Sequence, residues 1–158
     1  MIQRIQTLFL MISIIAMVVM LFFPLWTKEN LQTGDLAQLT PMALIHTNKT
    51  NVVSQNSTIY IAVLIFVSIT FAFLSIFSYK NRTKQIMYNL FNILTLIGVI
   101  GCCIYFSNKG ESFFTEPLRG KFGLGFFMPA IAVLMNSIAN RFIRKDEKLV
   151  RSSLDRIR

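Results

Sequence analysis

The chain has 158 residues, 54% of them apolar and only 15% charged, where a soluble domain carries about 25% charged residues; with a mean hydropathy of +0.57 this excludes an ordinary soluble domain. The length fits one compact unit rather than several. The net charge of +9, from 16 Lys and Arg against 7 Asp and Glu, fits a nucleic-acid binder, a membrane-surface protein or a membrane-spanning one, so the positions of the charges decide.

They are missing from four stretches, 8–26, 59–79, 86–106 and 122–143, which between them hold one basic residue, Arg141, close to the end of the last. At 1.5 Å per residue each reaches roughly 30 Å as a helix, the thickness of a hydrocarbon core. Four transmembrane helices are therefore expected. A cleaved signal peptide would show a shorter apolar core and a small-residue cleavage site. The first stretch runs instead into Phe22, Phe23, Pro24, Leu25 and Trp26, and reads as a retained span.

The first outer loop, 27–58, has Gly34 and Pro41 early and a later part, 46–58, crowded with Asn, Thr, Ser and Gln. Alternation over 51–60 is compatible with a short strand leading into the second span, and the loop is either a small ordered cap or flexible. The turn at 81–85 forces the second and third spans to be antiparallel neighbours. In the third span Asn89 and Asn92 lie one turn apart, as do Asn136 and Asn140 in the fourth. Hydrogen bonds between these pairs would align the two helices, and the same chemistry would serve docking to another membrane protein. Gly98 with Cys102, and Ser68 with Ala72, offer small surfaces for close helix approach. The second outer loop, 107–121, carries Phe113 and Phe114, suited to dipping back to the interface. Gly120, Gly123 and Gly125 precede Pro129 at the start of the fourth span. This reads as a loosened first turn, the alternative being a discontinuous helix lining a site.

With four spans both termini share a side. That side holds Arg4, Lys80, Arg82, Lys84, Arg141, Arg144, Lys145, Lys148, Arg151, Arg156 and Arg158, against Lys28, Lys49, Lys109, Arg119 and Lys121 on the other. The imbalance places both termini in the cytoplasm. Trp26, Tyr60 and Tyr105 at the outer ends, and Tyr79 and Tyr88 at the inner ends, fit the headgroup preference of amphipathic rings.

Catalysis finds no support. No Ser-His-Asp, H-E-x-x-H or paired-carboxylate pattern is present, and no ionisable residue lies near the middle of a span. His46 stands without a metal-ligand cluster, and adjacent Cys102 and Cys103 lack the spacing for a disulfide or a metal. No cofactor and no metal are expected.

The tail, 144–158, is strongly patterned. If the fourth helix continues, Ile143, Val150, Leu154 and Ile157 form one narrow stripe, flanked by a ladder of Glu147, Arg151 and Asp155. Lys145, Lys148, Arg151 and Arg156 complete the candidate interaction set with Val150, Leu154 and Ile157. Such a helix suits anionic headgroups or a partner protein, and ribosomal RNA is the one nucleic acid it would meet.

The opening M-I-Q-R-I-Q-T-L, the F-F-P-L-W of residues 22–26, and the tail motif K-D-E-K-L-V-R-S-x-x-D-R-x-R over 145–158 resemble a Bacteroidota family of short four-span proteins, a domain of unknown function. The resemblance implies an inner-membrane location and supplies no activity, cofactor or catalytic residue. The expectation is thus an all-α membrane protein, a four-transmembrane-helix bundle with a C-terminal cytoplasmic helical extension and residues 1–158 as a single membrane domain. It would serve as a non-enzymatic accessory or scaffold subunit whose tail binds a partner or anionic lipid. The alternative is a small transporter or lipid-handling protein using the Gly/Pro-rich start of the fourth span.

Overall fold

The computed structural model describes residues 2–30, 34–48, 51–79, 81–114 and 119–155, with helical side chains from Ile5 to Lys148. Four helices carry the chain: α1 (Ile2–Met20), α2 (Ile59–Phe77), α3 (Arg82–Glu111) and α4 (Leu124–Asp155). Each buries one stripe at three- and four-residue spacing, the pattern that lets helices pack side by side. On α3 the stripe is Gln85, Asn89, Asn92, Leu96, Val99, Cys103, Ser107 and Gly110. On α2 it includes Ile61, Ile65, Ser68, Ala72 and Ser75. α1 packs on α4, α4 on α3, α3 on α2 and α2 on α1. The turn between α2 and α3 is tight: Asn81 caps α3, its side-chain oxygen accepting from the Lys84 N–H at 3.3 Å.

The helices are not the whole fold, and the all-α expectation is corrected by a five-stranded antiparallel sheet. Strands β1 (Trp26–Asn30), β2 (Asp35–Leu39), β3 (Ala43–Asn48) and β4 (Asn51–Ser57) form a meander, and β5 (Lys121–Phe122) pairs with β1, giving the order β4-β3-β2-β1-β5. The segment expected as the first outer loop, 27–58, thus holds most of this sheet, and the strand expected before α2 is β4. Tight turns make this possible. Gly34 takes φ 75°, a conformation that favours glycine, and its N–H reaches the Asn30 carbonyl at 2.8 Å. The Thr40 hydroxyl both donates to the Ala43 carbonyl (2.8 Å) and accepts from the Ala43 N–H (3.1 Å). Thr58, fully buried, fixes the joint to α2: its N–H meets the Met42 carbonyl and its hydroxyl the Thr40 carbonyl, both at 3.0 Å.

Two boundaries move accordingly. The first apolar stretch, 8–26, is not one helix, because α1 begins at Ile2 and ends at Met20. Pro24 disfavours helical geometry at Phe23, and the chain turns into β1. Trp26 is therefore not an interfacial ring as expected; it is 1% exposed, in the core between sheet and helices. At the fourth stretch the chain passes through β5 before α4 starts at Leu124.

By length and composition three helices could cross a membrane, Ile59–Phe77, Arg82–Glu111 and Leu124–Lys148, while the apolar run of α1, Ile5–Met20, is shorter. α4 continues without a break through Asp155, as the tail pattern predicted. The core divides along the helix axes. Next to the sheet it is apolar, built from Met17, Met20, Leu25, Trp26, Ile61, Ile65, Leu96 and Val99. Toward the termini buried polar side chains join it, among apolar residues such as Leu10 and Ile143.

Candidate functional site

The polar half is fixed in register by its own contacts. Asp146 on α4 accepts from the Arg82 guanidinium of α3 at 2.7 Å and from the Gln6 amide of α1 at 3.1 Å. The described ends of α1 and α4 thus meet where α3 begins. Counting along antiparallel α3 and α4 from the Arg82–Asp146 contact sets Asn92 level with Asn136, and Asn89 level with Ala139 and Asn140. On the other flank Ser75 donates to the Gln85 carbonyl at 3.5 Å and Ser68 to the Asn92 side-chain oxygen at 2.6 Å. Ser13 of α1 reaches the Ala132 carbonyl at 3.5 Å. The resulting seam runs roughly 20 Å along α4, from Asp146 to Ala132.

All four sequence-singled asparagines are in this seam, and all are buried. The bonding differs from expectation. The hydrogen bond recorded for these side chains runs from the Ser68 hydroxyl of α2 to the Asn92 side-chain oxygen of α3, rather than between the α3 and α4 pairs. Both polar side-chain atoms of Asn89 and of Asn136, the Asn92 amide nitrogen and the Asn140 oxygen have no hydrogen-bond partner among the described residues. An unsatisfied buried polar atom costs about 1–3 kcal/mol, so the seam opposes tight packing unless something else uses those atoms. Sequence reading missed Ser13, Ser75, Gln6 and Gln85. Gln85 could have been found, since it precedes Asn89 by one turn on α3; Ser13 and Ser75 stand singly inside apolar runs, and Gln6 lies just before the first.

A cavity of about 340 Å³ adjoins the seam at the terminal end, lined by Gln6, Thr7, Ile76, Phe77, Tyr79, Arg82 and Gln85. Gln6 and Gln85 belong to both, being 3% and 5% exposed.

Of the tail set, Lys145 and Lys148 are exposed on α4, and Asp146 between them turns inward to Arg82 and Gln6. Val150, Arg151 and Leu154 lie on the continuing helix backbone, their side chains outside the described residues, as are Arg156 and Ile157 altogether.

The sheet end holds a second polar group. The Lys28 ammonium pairs with Glu111 at 2.7 Å and lies 4.8 Å from the Phe114 ring centroid. The other Glu111 oxygen accepts the Gly120 N–H at 2.6 Å. Burial works against the Glu111 carboxylate, but Lys28, the Gly120 N–H and Arg119 together outweigh it and hold the carboxyl below its ordinary range. His46 stacks on Phe113 (centroids 5.2 Å apart) and meets Phe114 edge-on at 5.6 Å. Among the described residues no three His, Cys, Asp or Glu side chains gather as a metal site requires. Gly120 lines a pocket of about 360 Å³ with Trp26, Glu111 and Arg119, but the glycines before Pro129 are closely packed: a side chain at Gly120 would strike Trp26, one at Gly123 the Pro24 carbonyl, and one at Gly125 the Phe23 carbonyl.

A family profile described as a domain of unknown function, DUF4293, matches residues 2–157. No curated protein matches the chain.

Proposed function

Since the chain belongs to the DUF4293 family of unknown function, its role must come from its own geometry, and we propose an integral inner-membrane protein that acts as a non-enzymatic accessory or scaffold subunit. Its four helices form a membrane bundle with both termini cytoplasmic and the sheet as an outer cap. The Bacteroidota origin and the tail motif belong to the same proposal.

Support for the membrane comes from the large apolar side chains left exposed around the helices, among them Leu8, Ile15, Phe66, Leu94, Phe127 and Leu134. A surface of that kind on every helix is what lipid contact demands and water penalises. α1, though shorter, keeps pace with its neighbours, from Gln6 beside Asp146 to the turn at Phe23 and Pro24 beside Gly123 and Gly125. Against the transporter alternative at the start of α4 stand the same glycines, whose missing side chains are replaced by Phe23, Pro24 and Trp26.

The observation that carries the scaffold role is α4 itself. It is 32 residues long and runs on to Asp155, past Asp146, where its contacts with α1 and α3 are anchored. The basic arm beyond that point supports attraction to an anionic surface of about 1 kcal/mol per Lys or Arg. The test compares the full chain with one ending at Lys148, which keeps Asp146, in native membranes and on anionic vesicles. Loss of a cross-linked neighbour, or of salt-sensitive vesicle binding, is the expected result. If both are unchanged, the arm has no such role.

A further inference from the structure

We propose that the asparagine seam is a hydrated vestibule, a binding site for water that opens to the cavity beside Gln6 and Gln85 and closes below the sheet. The proposal rests on the membrane reading and goes beyond it, since a scaffold needs no water inside its helices.

The unpartnered atoms carry it. Asn89 and Asn136 are fully buried with both amide atoms unpaired, and Asn92 and Asn140 each contribute one more. They include nitrogen donors and oxygen acceptors at two successive levels of the helix pair. Only a molecule that both donates and accepts can serve all of them, and water does so with two to four bonds each. Buried polar groups in folded proteins are almost always satisfied by protein or by ordered water, and lipid offers neither. Charged ligands are disfavoured because the polar groups of the seam above the Arg82–Asp146 pair are amides and hydroxyls, set among the buried apolar Leu10, Ala139 and Ile143.

Both ends of the vestibule are defined. At the terminal end Gln85 lies one turn from Asn89 on the same face of α3, and it also walls the 340 Å³ cavity. At the far end Met17, Ile65, Leu96 and Val99, all within 1% of full burial, close the path with apolar atoms. The site is thus a dead end reaching from one face, and not a pore.

Ser75→Cys and Ser68→Cys place a thiol at two depths with little change in volume, and native Cys103, buried in the apolar half, is the internal reference. Methyl methanethiosulfonate is the probe, because it reacts with the thiolate, which forms only where water reaches the sulfur. Adducts are assigned to each cysteine by peptide mass spectrometry on the protein in native membranes. The expected result is modification of Cys at 75 and at 68 at least tenfold faster than Cys103. Rates at both positions as slow as Cys103 overturn the proposal, and so does reaction at 75 alone, which confines water to the cavity. Should a variant misfold, betrayed by rapid reaction of Cys103, Ala72→Cys on the same buried face of α2 takes its place. Failure of the membrane reading looks different: the chain then remains in solution without detergent, whatever its labelling.

Discussion

Gly120 lies so close to the indole of Trp26 that a β-carbon there would overlap its ring atoms. The contact ties the start of the last helix to the first strand, and the Gly123 N–H continues it by reaching the Leu25 carbonyl at 2.9 Å. Trp26 cannot retreat, for it is 1% exposed and also abuts Gly110. Gly120→Ala is therefore expected to cost about 1–3 kcal/mol by overpacking. The reporter is built in: Trp26 is the single tryptophan, so its emission should shift to the red as the melting temperature falls. Gly101→Ala is the contrast, with nothing within 4 Å of its added carbon and a gain of roughly 0.5–1 kcal/mol expected from helix propensity.

The Lys28–Glu111 pair should respond unequally to loss of its two members. The Lys28 side chain is 6% exposed and the Glu111 side chain 29%. Glu111→Gln strands a buried ammonium, a loss on the order of 3 kcal/mol. Lys28→Met leaves a carboxylate that still has the Gly120 N–H and some water, so its cost should be smaller. Chemical denaturation of both variants in detergent ranks them, and equal costs would refute the asymmetry.

Acid should loosen the same clasp. The Glu111 carboxyl is held below its ordinary range in the folded chain, so its ionised form favours folding. That contribution is complete above the unfolded value of about 4.3 and disappears as the pH falls through the lower, folded value. The melting temperature of the native chain should therefore drop on acidification below about pH 4. Glu111→Gln should show a shallower drop over that range.

The helices were legible in the sequence because their apolar runs and stripe spacing follow directly from what a helix must bury. The sheet was not. Its strands are five to seven residues long apart from two-residue β5, and of them β4 alone announced itself, through the alternation over 51–60; β1, β2 and β3 are too short to stand out from a loop. Trp26 shows the limit most clearly: an aromatic at the end of an apolar run reads as an interfacial ring, and only the long-range approach of Gly110 and Gly120 reveals a core residue. The asparagines were visible by type and spacing. Their partners were not, since Ser68 meets Asn92 across 24 positions and Gln6 meets Asp146 across 140.

Asp146 anchors the start of the tail to α1 and α3, and two truncations should show where that anchoring ends. The Asp146 side chain points inward, 10% exposed against the 22% of Arg82. A chain ending at Lys148 keeps the contacts to Arg82 and Gln6 and should melt near the native temperature. A chain ending at Arg144 leaves Arg82 and Gln6 without their acceptor at the cavity and should lose about 1–3 kcal/mol. Point variants locate the cause. Arg82→Gln strands a nearly buried carboxylate with Gln6 as its remaining donor among the described residues, whereas Asp146→Asn leaves a guanidinium that still reaches water, so the first should be the more damaging. The double variant should be less destabilised than the two single losses added together, with a coupling of roughly 0.5–3 kcal/mol. Strict additivity would mean that the two groups do not interact in the folded protein, and would remove the contact that sets the register of α3 against α4.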